Sequence, residues 1–315
     1  MSEIRERKGG YYRVIQSQGA GKEFFAWLGR TRPEAEAELE RVQAQEKRAR
    51  AEQRQALPEA DRRRLWKRIG EFRADDVRAC LAKNRVAFFT DAPENFTAQG
   101  RTNPTTRLFD ACRIGFQTIG TEEVLAGGLD AFDVLFCPGG FGYLPPKPLA
   151  QRLTAFVRGG GGFLGFCAGA FLPLSKYLKL VDAGFDYLRE TGIAMVHLDA
   201  RDPVATGVES TAQEPVYALY NRPAKARGHR VHIRMFRGNG PLLKARGRTR
   251  VVGYFDSNRP YAAILRGRYG TGRVLVFSVH PDVNMALLRE RTSEENVVQN
   301  ARLFTNAVLH CARRR

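Results

Sequence analysis

From Arg85 onward, short apolar runs alternate along the chain with amphipathic segments. Val86–Thr90, Val134–Cys137 and Phe163–Phe166 are almost entirely apolar, as strands buried on both faces of a parallel sheet are. Between the last two runs, Leu149–Val157 has apolar residues at helical spacing. The pattern therefore predicts an α/β domain with a doubly wound, mostly parallel sheet and a site at the carboxyl ends of its strands.

The second half of this region has a more β-rich pattern. Residues 180–260 contain scattered glycine and proline, and His229–Phe236 alternates with period two, which predicts an antiparallel strand. Gly159–Gly162 and Gly270–Gly272 predict a helix end and a hairpin turn, respectively. A last helix is predicted near Glu294–Arg313.

The first 83 residues have a different pattern. Lys8–Ile15 and Glu23–Leu28 predict two strands of a small sheet. Thr31 and Glu34 have the spacing of a capping box, which predicts a helix from Glu34 to about Gln55. That helix is polar nearly all round, so it needs charge pairs or a partner to stabilise it. We therefore predict an N-terminal extension over residues 1–83 and a main domain over residues 84–315.

The chain is strongly basic, with a formal net charge of +18. Residues 1–83 contribute +6 of that charge and the rest contributes +12. The two strands and following helix resemble the arm-type DNA-binding modules of phage integrases. In that interpretation Lys8, Tyr11 and Arg13 face a phosphate backbone, and residues 1–83 bind nucleic acid. The competing interpretations are a packing or assembly role for the extension and a solvated, arginine-rich surface.

Several protein classes are disfavoured by the sequence. No apolar run approaches the ~20 residues that a membrane helix needs, and the first residues have no apolar signal core. The five cysteines show neither paired spacing nor a metal-binding C-x-x-C pattern. We therefore expect a cytoplasmic protein without membrane contact, metal or cofactor.

The most informative motif is Gly165-Phe-Cys-Ala-Gly169, a strand end that breaks into a predicted helix at Cys167. Glycine two residues to either side suits a nucleophile elbow, where a strained turn leaves room only for small neighbours. A helix N-terminus also favours the thiolate form of a cysteine placed there. The competing interpretation of Cys167 is a small buried thiol, which is common for cysteine.

A second strand end supplies candidate groups for binding a carbonyl oxygen. The turn Pro138-Gly139-Gly140 follows the strand at Cys137, and no side chain covers the backbone amides of its two glycines. We expect the amides of Gly140 and Ala168 to form an oxyanion hole, and Gly139 and Phe141 to contact the substrate. The competing interpretation of the glycine pair is a tight turn and nothing more.

A third strand, Val274–Val279, delivers His280, with Asp282 two residues later. Cysteine, histidine and carboxylate at strand ends make a candidate triad, in which His280 is the general base for Cys167 and Asp282 orients the ring. The competing interpretations are that His280 is only structural and that Asp282 is a turn residue beside a proline.

These motifs together resemble the class I glutamine amidotransferase-like superfamily, and within it the biotin-protein-ligase N-terminal-like family. The resemblance covers about Arg85 to His310. It is carried by Phe136–Gly140, Gly165–Ala170, Phe236–Pro241 and Tyr269–Asp282. It implies a flavodoxin-like fold, a cysteine nucleophile and a glutamine-type amide substrate. Two residues depart from the pattern, since Asp282 stands where glutamate is usual and Val279 where proline is common.

The sequence thus favours an amidotransferase-like cysteine hydrolase that acts on a small-molecule amide. No synthetase domain and no ATP-binding P-loop is visible, so a separate synthetase or ammonia acceptor would use any ammonia released. Two alternatives stay open: a catalytically inactive binding module with the same fold, and a nucleic-acid-associated protein tethered by residues 1–83.

Overall fold

The computed structural model describes residues 3–7, 10–16, 23–29, 31–34, 36–37, 40, 63–64, 67–68, 86–89, 104–139, 145–186, 191–211, 230–256, 261–282 and 293–312. The chain divides into two compact units, Met1–Ala56 and Leu57–Arg315. The predicted domain boundary between residues 83 and 84 lies inside the second unit and stays a prediction.

The first unit contains a three-stranded antiparallel sheet. Its strands are β1 (Glu3–Arg7), β2 (Gly10–Gln16) and β3 (Glu23–Gly29), in the order β1-β2-β3. The sequence pattern predicted β2 and β3 but not β1. Thr31 and Glu34 form the predicted capping box, because each backbone N–H donates to the other's side chain. Most of the predicted helix over residues 34–55 lies outside the described residues.

The second unit is built on one large mixed sheet. Five of its strands run parallel in the order β14-β7-β6-β4-β5, and the sheet continues from β14 through antiparallel strands β13, β12, β9 and β10. Strands β8 and β11 pair with each other, and β11 also pairs with β13. The structure confirms the predicted α/β fold, with the predicted apolar runs in the parallel block and Arg230–Phe236 of the predicted antiparallel strand in β10.

The strand bounds are β4 Val86–Phe89, β5 Phe116–Ile119, β6 Val134–Cys137, β7 Gly162–Phe166, β8 Ala183–Asp186, β9 Thr191–Asp199, β10 Arg230–Gly238, β11 Leu242–Ala245, β12 Arg250–Phe255, β13 Ala262–Tyr269 and β14 Gly272–Phe277. The helix bounds are α1 Pro104–Ala111, α2 Thr121–Leu125, α3 Lys147–Arg158 and α4 Glu294–Cys311.

Helices cover both faces of the sheet and create two hydrophobic cores. The first core joins residues of α1 and α4 to one face, and the second joins residues of α2 and α3 to the other. Each strand of the parallel block except the edge strand β5 is fully or almost fully buried, which is why β4, β6 and β7 are apolar at every position and β14 is apolar at every position except Arg273. None of the described helices has the length and apolar character that crossing a membrane requires.

Two arginines, Arg64 and Arg68, contact the start of α4. The guanidinium groups of Arg64 and Arg68 form ion pairs with Glu294, and Arg68 also pairs with Glu295. Acidic side chains in the first turn of a helix are stabilised by the positive end of its dipole, so these arginines add to an already favourable placement.

Candidate active site

The candidate nucleophile lies on a strained turn at the end of a central strand. Strand β7 ends at Phe166, and Cys167 has a φ of +49°, in the left-handed region that residues other than glycine rarely adopt. Such strain persists only where the surroundings impose it, and it is concentrated at functional sites. Cys167 is 7% exposed, so the residue is largely buried.

The two glycines that flank Cys167 are required by close backbone contacts. A Cβ atom on Gly165 would lie 2.4 Å from the carbonyl oxygen of Gly169. A Cβ atom on Gly169 would lie 2.1 Å from the carbonyl oxygen of Cys137, on the neighbouring strand. The G-x-C-x-G spacing is therefore explained by packing of the turn against β6, as the sequence predicts.

The helix expected after Cys167 is shorter than predicted. Only a 3-10 turn, Cys167–Ala170, follows the strand, and irregular turns continue from there. Pro173 explains the difference, because proline has no N–H and disfavours helical geometry in the residue before it. A four-residue turn has little dipole, so the expected stabilisation of a thiolate by a helix must come from another group.

His280 is that group, and backbone hydrogen bonding fixes its position. It follows β14, and its N–H donates to the carbonyl oxygen of Phe236 at 2.7 Å. The ring of Phe236 lies 5.7 Å from the imidazole between centroids, so an aromatic wall borders the histidine. The side chain of His280 is 12% exposed.

A carboxylate and a hydroxyl extend the arrangement behind His280. Nδ1 of His280 lies 3.2 Å from Oδ1 of Asp282, and the hydroxyl of Thr105 donates to Oδ2 of the same carboxylate. Thr105 and Asp282 are both buried. Sequence reasoning missed Thr105, which stands 177 positions earlier at the start of α1, and no spacing signal connects it to Asp282.

Gly139 marks the place where Cys167 and His280 meet. A Cβ atom on Gly139 would lie 3.3 Å from Cβ of Cys167 and 3.4 Å from Nε2 of His280. It would also lie 2.6 Å from Cε1 of His280, closer than real carbon atoms approach. The end of β6 therefore contacts both candidate catalytic side chains, and only glycine leaves them room.

Electrostatics favour a charged histidine beside the cysteine. Burial would lower the pKa of His280, but the Cys167 sulfur and the Asp282 carboxylate beside the ring raise that pKa to about 10. Burial would raise the pKa of Asp282, but hydrogen bonds from His280 and Thr105 keep it below its usual value. These two neighbours therefore favour the imidazolium form of the ring, which can balance the charge of a thiolate.

The sulfur of Cys167 also has a backbone neighbour. Sγ lies 3.2 Å from the carbonyl oxygen of Gly238, which accepts the S–H hydrogen when the thiol is protonated. The loop after Gly238 packs tightly on the end of β14, since a Cβ atom on Gly240 would lie 1.9 Å from the carbonyl oxygen of Ser278. The Phe236–Pro241 motif thus places one wall of the site.

The other described cysteines are buried free thiols. Burial raises the pKa of the thiols of Cys137 and Cys311 well above the ordinary value, and the Arg273 charge offsets only part of that effect at Cys311. Cys112 is buried and its thiol donates to the carbonyl oxygen of Ala301 at 3.7 Å. Cys137 is therefore a core residue, as expected, and Cys80 lies outside the described residues.

The predicted oxyanion and substrate groups are described only in part. Gly140 and Phe141 lie outside the described residues. Ala168 directly follows Cys167 and is half-buried in the 3-10 turn, where the first backbone N–H groups have no partner within the turn. The oxyanion role of the Ala168 amide stays a prediction.

A histidine pair lies elsewhere in the sheet. Nδ1 of His197 is 2.7 Å from Nδ1 of His232 across strands β9 and β10, and Asp256 lies 3.5 Å from Nε2 of His197. Sequence reasoning gave these histidines no role, because the contact depends on strand register. Within the described part of the chain, no group of three or more His, Cys, Asp or Glu side chains is arranged to hold a metal ion. His229 lies outside it.

No protein-family model matches the chain, and no curated protein matches it. Among solved structures, it is similar to a GMP synthase subunit-like protein from Thermoplasma acidophilum, at 12% identity and a TM-score of 0.47, over 72% of this chain and 94% of that one. It is also similar to a cytoplasmic protein from Salmonella typhimurium, at 13% identity and a TM-score of 0.48, over 73% of this chain and 100% of that one. A ThuA-like protein from Bacteroides uniformis has 13% identity and a TM-score of 0.43, over 71% of this chain and 88% of its own.

Proposed function

We propose that this protein is an amidotransferase-like cysteine hydrolase that cleaves an amide through Cys167, His280 and Asp282. The observation that carries the proposal is the convergence of Cys167 and His280 over Gly139, with Asp282 behind the ring. Strain at Cys167 supports the same conclusion, because a left-handed backbone conformation at cysteine costs free energy and such strain is concentrated at functional sites.

In the proposed reaction, the thiolate of Cys167 attacks the carbonyl carbon of the amide and the carbonyl oxygen becomes an oxyanion. The amide of Ala168, and that of Gly140 as predicted from the sequence, donate hydrogen bonds to this oxygen. The imidazolium of His280 then gives its Nε2 proton to the leaving nitrogen, so that ammonia or an amine departs and an acyl-enzyme remains.

Hydrolysis of the acyl-enzyme reverses the role of the histidine. Neutral His280 takes a proton from a water molecule as its oxygen attacks the thioester carbon, and the carboxylic acid leaves while Cys167 is restored as the thiolate beside the imidazolium. Asp282 stays ionised throughout and holds the ring in the tautomer that places the catalytic nitrogen toward Cys167. Its hydrogen bond to Nδ1 supports this role.

The proposed substrate is a glutamine-type amide, which is what the resemblance to class I glutamine amidotransferase-like proteins implies. We also propose, from the same motifs, that the chain is related to the biotin-protein-ligase N-terminal-like family within that superfamily. Ammonia released from glutamine would pass to a separate synthetase or acceptor protein.

The test is covalent labelling with an electrophilic glutamine analogue, followed by peptide mapping. We expect the label on Cys167 and not on Cys112, Cys137 or Cys311, since burial suppresses ionisation of Cys137 and Cys311. Cys167→Ser is the matched control and should abolish labelling while leaving the fold intact. Absence of label on Cys167 under conditions that modify other cysteines would refute the proposal.

A second experiment, measurement of ammonia release, separates an enzyme from an inactive binding module. A hydrolase turns over, so ammonia release from glutamine should depend on Cys167 and His280 in the unlabelled protein. A binding module would bind the amide and protect Cys167 from iodoacetamide, yet release no ammonia from glutamine or related amides.

A further inference from the structure

Four arginines lie next to one another across strands β12, β13 and β14. Arg250 on β12 is the cross-strand partner of Arg266 on β13, and Arg268 on β13 is the partner of Arg273 on β14. Cross-strand partners project from the same face of a sheet, and residues two apart in one strand share a face as well. All four guanidinium groups therefore project from one face, and we call this set the arginine face.

Like charges directly opposite each other destabilise a sheet, so repulsion within the arginine face lowers the stability of the fold. The carboxylate of Asp202 offsets part of this charge, since it accepts a hydrogen bond from Arg266 at 2.7 Å. Arg250 and Arg268 are exposed and form no ion pair with any carboxylate in the described part of the chain. The excess positive charge is therefore available to an outside anion.

The face adjoins the end of helix α4. Arg273 donates to the carbonyl oxygen of His310, in the last turn of that helix, at 2.8 Å. The chain then continues in sequence through three consecutive arginines, Arg313 to Arg315.

We infer that the arginine face binds the phosphate backbone of nucleic acid. Guanidinium groups pair with phosphates through forked hydrogen bonds, and side chains two residues apart on a strand are about 7 Å apart, so several phosphates of one duplex are engaged together. No base-reading element is implied, and the binding is independent of nucleotide sequence. This surface belongs to the second unit, and its role is separate from the nucleic-acid role proposed for residues 1–83.

The arginine face lies away from the candidate active site. Arg273 is the second residue of β14, whereas His280 follows the opposite end of that strand, which places the two about 20 Å apart along it. Nucleic acid on this face leaves the cleft at Cys167 open, so the two functions can be tested independently.

The test measures binding of the full chain to a 20-base-pair DNA duplex by fluorescence anisotropy, between 50 and 200 mM salt. Arg250→Gln/Arg268→Gln removes two exposed charges that have no described ion pair, so folding should be retained. Arg113→Gln/Arg152→Gln is the matched control, because it also removes two exposed charges, at a turn after α1 and on α3. Cys167 alkylation is followed in each protein as a check on the fold.

If Arg250 and Arg268 each neutralise one phosphate, they should account for about tenfold of the fall in affinity over this salt range, because each contact contributes a logarithmic slope of about −0.9. The Arg250→Gln/Arg268→Gln protein should lose that contribution, so its slope should be smaller by about 1.8. The control should keep the parent slope, and Cys167 alkylation should be unchanged in both. Equal slopes in the two variants, no binding by the parent protein at 50 mM salt, or stronger binding to anionic lipid vesicles than to the duplex would each overturn the inference.

Discussion

Replacing Gly139 with alanine is the sharpest perturbation of the candidate site. The added methyl group would lie 2.6 Å from Cε1 of His280, so the ring must move by about 1 Å to restore normal carbon contact. The backbone carbonyls around Cys167 leave the thiol little freedom to follow. The expected result is a weakened interaction between Cys167 and His280 in a protein that still folds, at a cost of about 1–3 kcal/mol in stability.

The size of the chemical effect follows from ionisation. A cationic neighbour a few ångströms from the sulfur favours the reactive thiolate by about 1–4 kcal/mol, so loss of the pairing should lower the neutral-pH alkylation rate of Cys167 by about tenfold or more. For amide hydrolysis the loss should be larger, on the order of 100-fold, because a displacement of about 1 Å also misplaces the proton donor.

The assay is iodoacetamide alkylation of Cys167 as a function of pH, read by peptide mapping, with thermal unfolding measured alongside. Gly115→Ala is the matched control, since a Cβ atom at Gly115 would meet nothing within 4 Å. We expect Gly139→Ala to shift the alkylation profile toward that of an ordinary cysteine and Gly115→Ala to leave it unchanged. If Gly139→Ala kept the parent rate at every pH, Cys167 and His280 would not meet over Gly139, and the reasoning would be wrong.

Three further outcomes are expected from the same contacts. Thr105→Val should lower the neutral-pH alkylation rate of Cys167 several-fold, whereas Thr105→Ser, which keeps the hydroxyl, should keep the parent rate. If Thr105→Val and the parent protein were alkylated at equal rates, Thr105 would have no positioning role. Cys167→Ala should lower the pKa of His280 from about 10, because the neighbouring sulfur is a principal cause of the increase; an unmoved ring titration in NMR would contradict this. Asp282→Asn should cost about 2 kcal/mol of stability near pH 6. Denaturant titrations should show the difference shrinking as pH rises from 6.5, the ordinary pKa of histidine, through about 10, the pKa of His280 in the folded protein. The difference should shrink again as pH falls from 3.8, the ordinary pKa of aspartate, through the lowered pKa of Asp282.

The parallel half of the fold could be predicted because its local signals agree. Strands β6 and β7 are apolar at every position, and the G-x-C-x-G spacing results directly from two backbone contacts that exclude a Cβ atom. The helix predicted to begin at Cys167 is a 3-10 turn, since glycine spacing indicates a turn without specifying the structure beyond it, and Pro173 ends the helical geometry. Strand β1 was missed because Glu3–Arg7 is mostly charged and has little apolar alternation.

The parts of the site that escaped prediction depend on contacts between distant segments. Thr105 reaches Asp282 only because α1 packs beside the end of β14, and Gly238 reaches Cys167 only because the loop after β10 closes over the same edge. Nothing in the spacing of these residues encodes such contacts. A sequence motif identifies the groups that react, whereas the groups that hold them in place are set by packing. The Thr105 and Gly139 variants therefore test the contribution of packing to the site, since neither residue has a reactive side chain.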